Sequence, residues 1–137
     1  MAAEESKLLR LVDANLNRLR EGVRVVEDIC RYIYDDEELA LALKLVRHRV
    51  RLPDGKLLEA RDVEGDRLRE TVGSEGERVD LPSIITANMK RAQESARVLE
   101  EVLKLMDREE AEKFKAIRYE LYSLERSLHM KRTSNSK

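Results

Sequence analysis

Residues 14–28 align without a gap on residues 87–101, and this repeat constrains the fold more than any other feature of the chain. Ala14, Asn15, Arg18, Glu21, Arg24, Val25 and Glu27 are matched by Ala87, Asn88, Arg91, Glu94, Arg97, Val98 and Glu100, seven identities in fifteen positions. Chance would supply about one or two. A looser echo follows in each half, where Leu43-Lys44-Leu45-Val46-Arg47 resembles Phe114-Lys115-Ala116-Ile117-Arg118. Two diverged copies of one helical hairpin account for both echoes. The expected architecture is all-α: two pseudo-symmetric hairpins forming a four-helix bundle.

Helix breakers are confined to one region. Of five glycines and two prolines, all but Gly22 lie between Pro53 and Pro82. The first long segment carries Leu9, Val12, Leu16, Leu19, Val23, Val26, Cys30 and Ile33 at alternating three- and four-residue steps, a continuous helical seam from about Glu5 to Tyr34. Asp35 or Asp36 then caps a second helix, about Glu37 to Leu52, with Leu39, Leu43, Val46 and Val50 inward and Pro53-Asp54-Gly55 as its stop. Asp80 or Ser83 starts a third helix on Ile85, Met89, Ala92, Ala96, Leu99, Leu103 and Met106. After Asp107 a fourth runs from about Glu109 to Met130 on Phe114, Ile117, Leu121, Leu124 and Leu128. Residues 1–130 are expected to form one helical domain, 131–137 a disordered polar tail, and 53–81 an irregular middle segment.

Composition supports helices with solvated outer faces, since 42% of residues are hydrophobic and 40% charged. A net charge of −1 supplies no bulk basic field for nucleic acid. No apolar run reaches the length of a membrane span, so a cytoplasmic location is expected. Cys30 falls on the apolar seam and reads as a buried, inert thiol. The absence of Trp, the lone Gln93 and the abundance of Glu, Lys and Arg point toward a thermophile.

Core packing explains repeated Val and Leu but not repeated polar residues. Asn disfavours helix interiors because its amide competes with the backbone, so Asn15 and Asn88 at matched sites imply specific partners. Asn15, Arg18 and Gly22 share one face, as do Asn88, Arg91 and Ser95. Arg beside Asn suits an anion or a heterocycle edge. For Glu21, Arg24 and their counterparts, ordinary ion pairs at three- and four-residue spacing explain the pattern equally well. In the middle segment, Asp62 and Asp66 with neighbouring Arg61 have the composition of a Mg²⁺–phosphate site, although from spacing alone a solvated acidic turn is the better reading. Neither a Walker-type nor a kinase glycine-rich loop is present. A di-iron bundle would need Glu-x-x-His twice, but Leu45 precedes His48 and Arg126 precedes His129 at that spacing. Two histidines and one cysteine make zinc a poor fit, and His48 belongs to a polar cluster or the surface.

The order of these motifs resembles a small family of thiamine-biosynthesis proteins. The stretches are Asp13-Ala14-Asn15-Leu16-Asn17-Arg18, Glu21 to Asp28 with Arg31, Arg47-His48-Arg49, and Ala60-Arg61-Asp62 with Gly65-Asp66. Ala87 to Arg91, Gln93-Glu94, Arg97 to Glu101, and Arg118-Tyr119 with Tyr122 and Leu124-Glu125 complete them, so the resemblance spans about residues 8–128. Members are hydroxymethylpyrimidine phosphate kinases, found alone or fused ahead of thiamine-phosphate synthase, and the length of this chain implies the stand-alone form. The resemblance implies transfer of the ATP γ-phosphoryl to 4-amino-5-hydroxymethyl-2-methylpyrimidine phosphate, with Mg²⁺. It implies phosphate binding by Arg18, Arg24, Arg91 and Arg97, with Arg18, Arg91 and Asp62 at the chemistry. Asn15 and Asn88 would hold the pyrimidine edge or a phosphate, Asp62 and Asp66 the metal, and Arg47, Arg49 and Arg61 the polyphosphate. A homodimer is expected. The alternative reading is a non-catalytic helical partner of thiamine-phosphate synthase.

Overall fold

In the computed structural model, residues 2–52, 61 and 77–135 are described, and among them only helices occur as regular structure. They are α1 (Ala2–Asp28), α2 (Glu37–Arg49), α3 (Leu81–Leu103) and α4 (Arg108–Asn135). The four helices expected from periodicity are present. The last three begin where a side chain satisfies orphan backbone N–H groups. Asp36 accepts from the Leu39 N–H at 3.0 Å, and Asp80 and Ser83 form a reciprocal capping box at the start of α3. Asp107 accepts from the N–H groups of Glu109 and Glu110.

The seams fill a single core. Leu16, Leu19, Val23 and Val26 of α1 pack with Leu43 of α2, Met89 and Leu99 of α3, and Phe114, Ile117 and Leu121 of α4. α1 pairs with α3, α2 packs on α1, α4 packs on α3, and α2 and α4 touch. Gly22 of α1 lies against Asn88 and Ala92 of α3, while Val98 reaches the cavity lined by Leu11 and Asn15, so α1 and α3 cross antiparallel. A Cβ on Gly22 would stand 2.9 Å from the Asn88 carbonyl oxygen. Glycine here lets two backbones approach.

Two seam expectations fail at helix ends. α1 runs into a π-helical turn, Ile29–Ile33, in which the Tyr34 N–H donates to the Ile29 carbonyl. The widened turn shifts the facing register, so Ile29 and Cys30 are buried while Ile33 is exposed. Asp35 follows in the left-handed region (φ 52°), which reverses the chain before the Asp36 cap. Met106 is exposed because α3 stops at Leu103 and the chain turns at 104–106. α2 stops at Arg49, three residues before the expected end, and the carbonyls beyond it are taken by side chains. Arg20 donates to Val50 O at 2.6 Å and Lys113 to Arg51 O at 2.8 Å.

α4 continues to Asn135, beyond the expected boundary at Met130. Its polar last turns are not idle. Lys131 bonds Asp36 at 3.2 Å, and the Arg132 guanidinium sits 3.3 Å from the centroid of the Tyr34 ring. Both contacts hold the end of α4 on the corner between α1 and α2.

Candidate functional site

Several repeated polar residues are used structurally, and with matching partners in each half. Arg47 donates to both carboxylate oxygens of Glu27, at 2.6 and 3.1 Å. Arg118 donates to Glu100 at 3.0 and 3.2 Å. Both glutamates are buried, so each guanidinium neutralises a charge that the core could not otherwise hold. The Glu27 bond and charge hold Arg47 above its usual pKa, and the Tyr122 bond together with Glu100 does the same for Arg118. The two asparagines also behave alike. Asn15 Nδ2 donates to Leu11 O at 3.0 Å and Asn88 Nδ2 to Ile84 O at 2.9 Å, each satisfying its own helix four residues back.

The halves differ in what lies around these pairs. A cavity of about 760 Å³ opens beside α1, within the range of small-molecule sites. Among the described residues its charged lining is Lys7, Arg10, Arg18, Arg61, Asp13 and Glu21, with Asn15, Asn17, Leu11 and Val98 between them. Arg61 comes from the middle segment and grips the buried Asp13 with two bonds, at 2.7 and 2.9 Å. That bond and charge raise the Arg61 pKa, and they leave Asp13 no free oxygen to repel an anion. Among the described residues Lys7, Arg10 and Arg18 have no ion pair.

A second cavity, about 480 Å³, is bounded by Lys90, Gln93, Glu94, Arg97, Arg118 and Tyr122 between α3 and α4. Its cations are already engaged. Arg97 pairs with Glu100 and Glu101, and Lys90 bonds Gln93 and Glu125. In the α1 half, Arg20 occupies the position of Gln93 and reaches across to α2.

The structure therefore brings Asn15, Arg18 and Arg61 to one cavity and separates the other sequence-derived candidates. Arg24 pairs with Asp28 on the surface, Arg47 serves Glu27, and Arg49 pairs with Glu120 of α4. Arg97 lines the second cavity, whereas Asn88 and Arg91 line neither of these two. Asp62 and Asp66 lie outside the described residues. Among the described residues no three His, Cys, Asp or Glu side chains gather as a metal site. His48 is exposed, as one of its two expected placements required. No described helix is long and apolar enough to cross a membrane.

The sequence profile of the ThiD2 family matches residues 10–127, nearly the whole helical region. This chain belongs to the ThiD2 family. Its relatives include thiamine-phosphate synthase of Thermosynechococcus vestitus, 40% identical over 129 residues, which cover 93% of this chain and 37% of that protein. Thiamine-phosphate synthase of Nostoc punctiforme is 40% identical over 121 residues, 87% of this chain and 34% of the relative. That of Rhodopirellula baltica is 38% identical over 135 residues, 94% and 36%. The chain thus spans about a third of the length of these relatives. No solved structure matches.

The ThiD2 motifs now divide by use. Glu27, Arg47, Glu100 and Arg118 hold the hairpins together, while Arg18 alone of the four repeated arginines faces the larger cavity. Lys7 and Arg10 escaped motif reasoning because they precede the repeat. The available signal was their three-residue spacing, continued by Ala14 and Arg18 along one face of α1.

Proposed function

We propose that this ThiD2 chain acts in thiamine biosynthesis by transferring the γ-phosphoryl group of ATP, with Mg²⁺, to 4-amino-5-hydroxymethyl-2-methylpyrimidine phosphate. The observation that supports this most is the cavity beside α1, where Arg18 stands unpaired next to Asn15 and the Arg61–Asp13 pair. Phosphoryl transfer needs cations around the transferring group more than covalent chemistry. The acceptor oxygen belongs to a phosphate already ionised near neutral pH, so the site requires no strong base. Cations that grip the acceptor phosphate also discriminate against the unphosphorylated alcohol, which would leave their charge unpaired. Asn15 spends one Nδ2 N–H on Leu11 O, which leaves a second N–H and the Oδ1 acceptor for a ligand. The acceptor suits the exocyclic amine of the pyrimidine and the remaining donor a phosphate oxygen.

The test is ADP release from purified protein given ATP, Mg²⁺ and the pyrimidine monophosphate. ADP and the pyrimidine diphosphate should form in equal amounts, and the free alcohol should give neither. A folded protein that forms no ADP refutes the kinase reading. One observation favours a second reading: the relatives named thiamine-phosphate synthase share this region as about a third of a longer chain. A non-catalytic helical partner of that enzyme would release no ADP but would raise the synthase rate when added to it.

A further inference from the structure

We infer that only one of the two repeated faces is an anion site, and that Lys7 and Arg10 together with Arg18 form it. The repeat alone predicts two equivalent faces, because Asn15, Arg18 and Glu21 recur as Asn88, Arg91 and Glu94. The structure breaks that equivalence at the start of the helices. α1 begins at Ala2 and has two further turns before Asn15, which carry Lys7 and Arg10 into the cavity. α3 begins at Leu81, so the matching positions hold Asp80 and Ser83, which cap the helix and bring a carboxylate instead of two cations.

The remaining cations widen the difference. Arg61 neutralises Asp13 on the α1 face, and the residue matched to Asp13 is Thr86. Lys90, matched to Asn17, is turned toward Glu125 of α4. The α1 face therefore presents Lys7, Arg10 and Arg18 unpaired among the described residues against the single free carboxylate Glu21. The matched positions of α3 hold one cation, Arg91, and two carboxylates, Asp80 and Glu94. Unpaired cations lining one cavity along a single helix are the chemistry that recognises a phosphate or diphosphate group. The ligand class is a small phosphate ester. This inference rests on reading the cavity as a phosphate site but not on turnover.

Calorimetric titration of the full chain with inorganic pyrophosphate tests it. Arg18→Ala and Arg10→Gln should each weaken binding about tenfold or more. Lys7→Gln should weaken it several-fold, and Arg91→Ala should leave it within about twofold. Lys7 and Arg10 lie on the solvent side, so their variants keep the fold, which unchanged helical circular dichroism checks. Equal losses in Arg18→Ala and Arg91→Ala would restore two equivalent faces and overturn the inference. Unchanged affinity in both Arg10→Gln and Arg18→Ala would do the same by removing the site from this cavity. Repeating the titration with the pyrimidine monophosphate and with ATP identifies whose phosphate is held, since Arg10→Gln will weaken that ligand selectively. Absence of ADP formation with pyrophosphate binding intact would refute the kinase reading and leave this site standing.

Discussion

Replacing Gly22 by alanine sets two local effects against each other, and the structure decides which is larger. In an exposed helix interior the change would stabilise by about 1 kcal/mol, because glycine has the greater conformational freedom to lose. Here the new Cβ would lie 2.9 Å from the Asn88 carbonyl oxygen and 3.4 Å from the Ala92 Cβ. The first contact is with backbone and cannot be relieved by rotating a side chain, so α1 and α3 must separate at their crossing. Overpacking of this kind costs about 1–3 kcal/mol. The net expectation is a loss of about 1 kcal/mol, or a melting temperature lower by roughly 3–5 °C for a chain of this size. Thermal unfolding followed by far-UV circular dichroism measures it. Ser95→Ala is the paired control. Ser95 is the repeat-equivalent residue, is also buried and already carries a Cβ, so its variant should shift the midpoint less. A Gly22→Ala protein that melts at or above the parent would refute the close-approach argument, because helix propensity would then have outweighed contact.

Three further outcomes are expected. Arg47→Met removes the partner of a glutamate only 2% exposed and should cost about 3–5 kcal/mol in urea unfolding, whereas Arg118→Met should cost less because Arg97 remains 3.6 Å from Glu100. Equal losses would contradict that asymmetry. Burial, with Asp36 adding to it, pushes the Cys30 thiol up to about 11. The native state therefore keeps the proton that the unfolded chain releases from about pH 9, so stability falls as pH rises from about 9 through 11. Cys30→Ala should lack that portion of the fall, and identical alkaline profiles would disprove the assignment. Ending the chain after Met130 removes the Lys131–Asp36 bond and the Arg132–Tyr34 stack and should lower the midpoint of thermal melts, and an unchanged midpoint would show these contacts to be idle.

Most of the helical framework was legible because periodicity and capping are local properties. Leu9 to Cys30, Leu39 to Val50, Ile85 to Leu103 and Phe114 to Leu128 announce their buried faces by spacing alone, and Asp36 and Asp80 announce helix starts. The repeat likewise pointed to Asn15, Arg18, Asn88 and Arg91 without any knowledge of their surroundings. Local rules failed where a turn changed its pitch, at the π-helical turn that exposes Ile33, and where a distant partner held a polar end, at Lys131 and Arg132.

The sequence by itself thus determined the helices, their inward faces and the duplicated polar signature. Only the tertiary structure decided which charges are spent on structure and which stay available. Arg47 with Glu27, Arg61 with Asp13 and Arg49 with Glu120 are separated by 20, 48 and 71 positions, so no spacing rule connects them. The physical reason is that periodicity fixes a residue's angle about its own helix axis, whereas an ion pair depends on how separate helices are rotated and offset against each other. That relative placement leaves Arg18 with Lys7 and Arg10 at one open cavity, keeps its matched Arg91 off both cavities and pairs Arg97 with Glu100 and Glu101.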